Sequence, residues 1–342
     1  MSRLKLGISS ALVGIVGAFG FFFISEHTIS RFTASDPIQS QDYWLDRIND
    51  VGSVAAHTEF AQSVEGLSSP LQHTHAHVFG AALFAREDSS GLSVCDGRFV
   101  FGCAHEVIAQ SIARYGTEII PALGDICERA AGRSIAECSH GIGHGVLGYI
   151  GYGSEDLTQA LEHCRVLAGK RSEDCAGGVF MEYNLRTLAE GDSMARPYEG
   201  NPYAPCDAVD AHFAHPCMFW ISQWWVFAFR EQRNDENMFA HMGKLCRQTA
   251  GAALSGEIST CFEGLGYMSM HLGRGDIPRM VQLCHSATKA TLELESCLSM
   301  AAKTERVLYP QYSAVTVCES LEKNARTRCE AGLHELDIFV QP

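Results

Sequence analysis

Three regimes of apolar patterning divide the chain. Residues Leu6 to Ile24 form one uncharged run that includes Phe19, Phe21, Phe22 and Phe23, about the ~20 residues that cross a bilayer as a helix. Residues 25–68 are mostly polar, with one amphipathic helix predicted around Tyr43 to Phe60. From Leu71 onward, apolar segments of helix length alternate with short polar or glycine-containing breaks. Within this region Ser134 and Glu137 form an S-x-x-E capping box that starts a helix just before Cys138. Thr117 and Ser154 each follow a glycine able to cap the preceding helix, and each opens a segment of about ten residues ending in cysteine. Pro121 and Pro278 stand early enough in their segments to be tolerated.

The cysteines turn these segments into a repeat. Cys127/Cys138, Cys164/Cys175, Cys206/Cys217 and Cys318/Cys329 each enclose ten residues, Cys246/Cys261 fourteen, Cys284/Cys297 twelve and Cys95/Cys103 seven. Seven pairs use all 14 cysteines, and their second members recur at steps of 32 to 44 residues, the period of a two-helix solenoid unit. Each pair is expected to staple the end of helix A to the start of helix B. Further T-x-x-E signatures at Thr260/Glu263 and Thr327/Glu330 mark later B helices. The segment 184–216, with Pro197, Pro202, Pro205 and Pro216, reads as an inserted loop, and the run from Phe219 to Phe229 as a tryptophan-rich core helix. The predicted fold is all-α: an αα-hairpin repeat solenoid with about one disulfide per repeat, preceded by a single transmembrane helix. Its parts are a cytoplasmic N-terminus (1–5), an anchor (6–24), a juxtamembrane stalk (25–68) and a stapled repeat domain (69–340).

Composition adds compartment and exclusions. At 46% hydrophobic and 19% charged residues the chain is globular. Arg3 and Lys5 precede the apolar run and Glu26 follows it, so a cytoplasmic N-terminus and an exported, periplasmic or extracellular body are expected. No A-x-A-like cleavage site follows, which favours a retained signal-anchor that makes the membrane itself a partner. An even cysteine count fits that oxidising side. A net charge of −14 argues against nucleic acid as a partner.

The candidate chemistry lies in a column of histidines. Superposed on the second cysteine of each pair, His105 and His140 fall in one slot, and His144 lies one turn further on the same face. The preceding His73-Thr-His75-Ala-His77 segment places His77 in the same slot. Neighbouring helices roughly 8–10 Å apart allow such imidazoles to converge on one ion, so His77, His105, His140 and His144 are the predicted metal ligands. Glu106 and Glu182 are the predicted fifth or supporting cofactor contacts, and iron, copper or zinc the candidate ions. Gly141, Gly143 and Gly145 either leave room for a bulky group such as haem or permit close helix approach. No C-x-x-C-H, G-x-S-x-G, Walker loop or H-E-x-x-H occurs.

With its mid-thirties unit length, apolar helix ending in cysteine, and following cysteine opening a Gly- and Tyr-rich helix, the stretch 95–334 resembles the cysteine-rich secreted members of the tetratricopeptide-related repeat proteins. That resemblance implies a binding scaffold and no catalytic residues. Two functions follow: a histidine-rich pocket for a transition metal or haem-like cofactor, with oxidoreductase or oxygenase chemistry the first enzyme class to consider, or a non-enzymatic scaffold that holds a protein partner on its concave face.

Overall fold

The computed structural model describes residues 39–67, 69–130, 135–186, 195–231, 234–248, 254–273, 275–308 and 314–340. Among them the chain is all-α. It opens with α1 (Gln41–Val51), α2 (Ser53–Ser63) and α3 (Ser69–Glu87), followed by α4 (Gly102–Tyr115), α5 (Ile120–Ala130), α6 (Ile135–Ile150), α7 (Ser154–Cys164) and α8 (Lys170–Asn184). The second half holds α9 (Ala214–Ala228), α10 (Asp235–Gln248), α11 (Ile258–Gly273), α12 (Ile277–Ala287), α13 (Thr291–Leu308), α14 (Val315–Cys318) and α15 (Lys323–Val340).

These helices form two layers. In the first, α3, α4, α6, α8, α9, α11, α13 and α15 each pack on the next. In the second, α5, α7, α10, α12 and α14 lie against the hairpin partners that follow them. Seven disulfides join the sequential pairs Cys95–Cys103, Cys127–Cys138, Cys164–Cys175, Cys206–Cys217, Cys246–Cys261, Cys284–Cys297 and Cys318–Cys329. Their Cα separations of 5.5 to 5.8 Å lie within the ordinary window for a disulfide. Each such crosslink is worth roughly 2–4 kcal/mol, which supplements the thin core of a two-layer array.

Local signals behave as their chemistry requires. Gly116 ends α4 at φ +71°, its N–H returning to Ile112 O, and Pro278 stands in the first turn of α12. Helix α6 begins at Ile135, although Ser134 lies outside the described residues. Thr327 does not start a helix. It sits inside α15 with its hydroxyl on the Lys323 carbonyl, a bond that competes with the capping role its T-x-x-E context suggested.

Three expectations about the periphery change. Instead of one helix over Tyr43 to Phe60 there are two, broken at Gly52 with φ +84°. These two helices, within the stretch read as a stalk, bury Trp44, Ile48 and Phe60 in the core with α3. Phe60 stacks on Phe79 at 4.9 Å and Trp44 meets both rings edge-on at 5.5 Å, each buried ring contributing about 1.5–3 kcal/mol. The transmembrane helix of the expected fold class is not found: no described helix is long and apolar enough to cross a membrane. The longest helices carry polar and charged side chains, as Lys303, Glu305 and Arg306 do in α13. Residues 6–24, on which that expectation fell, lie outside the described residues.

Among the described residues, no second-layer α-helix stands between α8 and α9, and the proline-rich insertion from Ala195 onward lies there instead. Its backbone accepts from the two buried indoles of α9, Trp224 Nε1 to Arg196 O at 2.9 Å and Trp225 Nε1 to Pro202 O at 2.7 Å. The Arg196 guanidinium lies 3.3 Å above the Trp224 ring.

Candidate metal centre

Close approach of the first-layer helices is set by glycine. A Cβ on Gly143 would stand 1.9 Å from Cys175 O, and one on Gly178 1.9 Å from His140 O, so α6 and α8 touch backbone to backbone. A Cβ on Gly141 would meet the His105 ring at 2.9 Å and one on Gly145 would meet Ile112 at 2.9 Å. The glycines of the His140–His144 motif are thus filled by neighbouring helices. They leave no hollow for a haem, and of the two readings open from sequence it is close packing that holds. The same packing brings imidazoles from different helices within a few ångströms.

Five histidines line one strip across α3, α4 and α6. On α3, His73 Nε2 and His77 Nε2 are 3.1 Å apart. His77 Nδ1 lies 2.9 Å from Glu106 Oε2 on α4, and Gln110 donates to the other Glu106 oxygen at 2.9 Å. His73 Nδ1 lies 2.9 Å from the Phe99 carbonyl. On α6, His140 Nε2 and His144 Nε2 are again 3.1 Å apart, and His144 Nδ1 lies 3.0 Å from Glu182 Oε2 on α8. Between the pairs stands His105 of α4, its ring 6.1 Å from His73, 6.4 Å from His77 and 5.6 Å from His144. Its Nε2 is buried with no hydrogen-bond partner among the described residues.

All four sequence-predicted ligands therefore share one surface. Glu106 and Glu182 stand behind His77 and His144, on the Nδ1 side. Each is the carboxylate that fixes a tautomer and orients a ring, and neither faces the space between the rings. His73 completes the set. The signal for it was present, since His73-x3-His77 has the same i, i+4 spacing as His140-x3-His144 and so the same helical face. Trp220, expected in the core, is only half-buried and borders the strip, 5.2 Å from His140 and 5.1 Å from Tyr267. Trp224 and Trp225 are the core pair. Cys206 and Cys217 are bonded to each other, so they are not available to a metal with His212 or His215.

The protonation states follow from the partners. A backbone carbonyl and a carboxylate only accept, so the Nδ1 atoms of His73 and His77 carry their protons. Withdrawal from water, reinforced by neighbouring imidazoles, pushes His73 down to about 4 and holds His105 and His140 well below the usual histidine range. At 3.1 Å the facing Nε2 atoms of His73 and His77 are close enough to share either a proton, one ring donating to the other, or a metal ion. Two nitrogens bound to one metal at about 2.0–2.1 Å stand about 2.9 Å apart at a right angle and about 3.3 Å apart at a tetrahedral angle, a range that brackets the observed 3.1 Å. His73, His77 and His105 offer one ligand atom each, all within 4.8 Å of one another, and could hold a metal ion after a small inward swing of a ring.

Comparison with known protein families, characterised proteins and solved structures returned no match. The chain is a helical protein stapled by seven disulfides, and no repeat family is assigned to it.

Proposed function

We propose that this protein is a transition-metal protein whose ion is held by His73, His77 and His105, with Glu106 behind His77. One observation carries the reading: the Nε2 atoms of His73 and His77 face each other at 3.1 Å while both Nδ1 atoms are committed to acceptors. An all-imidazole donor set suits zinc, copper, iron or nickel rather than calcium or magnesium. Three protein nitrogens leave a fourth position for water or substrate, which is the pattern of catalytic rather than closed structural sites. That open position is what supports a metal-dependent reaction, with redox or oxygen chemistry the class to assay first. Seven disulfides and no free cysteine among the described residues favour an oxidising compartment outside the cytosol as the place of action.

The test is elemental analysis of protein purified without added chelator, followed by chelation and titration with zinc. Metal binding that is lost in the His77→Ala variant, with helicity and the seven crosslinks intact, supports the reading. Wild-type protein that stays metal-free at micromolar zinc overturns it and leaves the stapled scaffold as the function.

A further inference from the structure

His140 and His144 on α6 repeat what His73 and His77 do on α3. The Nε2–Nε2 separation is 3.1 Å in both pairs. The second histidine of each pair reaches a glutamate on the next first-layer helix, at 2.9 Å in one case and 3.0 Å in the other. Glu182 is fully buried, and its other oxygen accepts from Tyr152 at 2.7 Å. A buried carboxylate accepts, so His144 Nδ1 carries a proton, and its Nε2 faces the His140 Nε2 as His77 faces His73. His105 stands between the two pairs with a buried nitrogen that has no partner among the described residues.

We infer that the protein holds a second transition-metal ion between His140 and His144, making a two-metal centre with His105 between the ions. The inference rests on the metal reading of His73, His77 and His105, but a different pair of rings and a different carboxylate carry it. A single ion shared by all five rings is the competing arrangement. It is disfavoured because, among the described residues, His73, His77 and His105 form a group of three whose ligand atoms lie within 4.8 Å of one another and the group does not extend to His140 or His144. Glu182 and Tyr152 would do for the second ion what Glu106 and Gln110 do for the first: they fix the ring and its tautomer.

Zinc stoichiometry on the chelated full chain decides between these arrangements. The expected result is two equivalents for the wild type, one for a His140→Ala, His144→Ala variant and one for a His73→Ala, His77→Ala variant. Copper(II) should quench the fluorescence of Trp220, whose ring lies 5.2 Å from His140. That quenching should persist in the His73/His77 variant, vanish in the His140/His144 variant and shrink when Trp220→Phe is introduced. If the double variants misfold by circular dichroism, Glu182→Gln should weaken only the second equivalent, by about 10–100-fold. One equivalent in the wild type overturns the second ion. If that equivalent is lost only with His73 and His77, the first site stands alone; if either pair abolishes it, one ion is shared. No binding at all removes both readings together.

Discussion

His77 and His73, one turn apart on α3, face each other through their Nε2 atoms at 3.1 Å, and the Glu106 carboxylate on α4 holds the far side of His77 at 2.9 Å. The carboxylate orients the ring and fixes the nitrogen it presents. Glu106→Gln keeps an acceptor of the same shape but removes the charge. Zinc affinity measured by competition with a chromophoric chelator should fall about 10–100-fold, with melting of the metal-free protein little changed. An unchanged affinity would mean that Glu106 does not support a ligand.

The contact between α6 and α8 has no slack. Because a Cβ on Gly178 would stand 1.9 Å from the His140 carbonyl, a backbone atom that cannot rotate away, Gly178→Ala must push the helices apart. Overpacking typically costs about 1–3 kcal/mol, and the displaced His140 should weaken metal binding as well. Gly256→Ala is the control, since nothing lies within 4 Å of its Cβ and the change should stay within about 0.5 kcal/mol. Urea midpoints at constant m value measure both.

Arg196 ties the insertion to α9. It stacks on Trp224 and donates to Asn184 Oδ1 at 3.0 Å, and burial pushes its guanidinium down to about 10. Arg196→Ala should cost about 2–4 kcal/mol and shift tryptophan emission to the red as Trp224 becomes hydrated. Arg196→Lys should fail to restore either, because an ammonium lacks the planar stacking surface.

Acid should destabilise the protein through a buried histidine. Burial pushes His271 on α11 down to about 4, against about 6.5 in an unfolded chain. The unfolded state therefore binds more protons between those values. The stability His271 contributes is fully present above pH 6.5 and is lost as pH falls toward 4. At pH 5 the loss relative to pH 7 is about 2 kcal/mol from this residue alone. An NMR titration in which the His271 ring protonates near pH 6.5 would contradict this assignment.

The repeat, the sequential crosslinks and the helix carrying His140 and His144 were legible without coordinates, because each rests on short-range regularities: cysteine spacing, a capping box and the i, i+4 period. The break at Gly52 was missed. An amphipathic pattern continues through a glycine whose positive φ only the packing of Trp44 and Phe60 on α3 requires. Thr327 misled for a related reason, since its hydroxyl has a local alternative in the Lys323 carbonyl.

The sequence by itself determined which residue types could gather: five histidines at helical spacing in consecutive units, two glutamates on following B helices, and glycines where helices must touch. Tertiary structure alone decided how they are used. Interhelical distance is set by the Gly143 and Gly178 contacts between α6 and α8 and by the Gly80 contact between α3 and α4, and those distances place Glu182 behind His144 and Glu106 behind His77 instead of among the ligands. The same packing also fills the space beside the glycines of the His140–His144 motif. Hydrogen-bond direction is a property of atoms a few ångströms apart on different helices, and spacing along a chain carries no record of it.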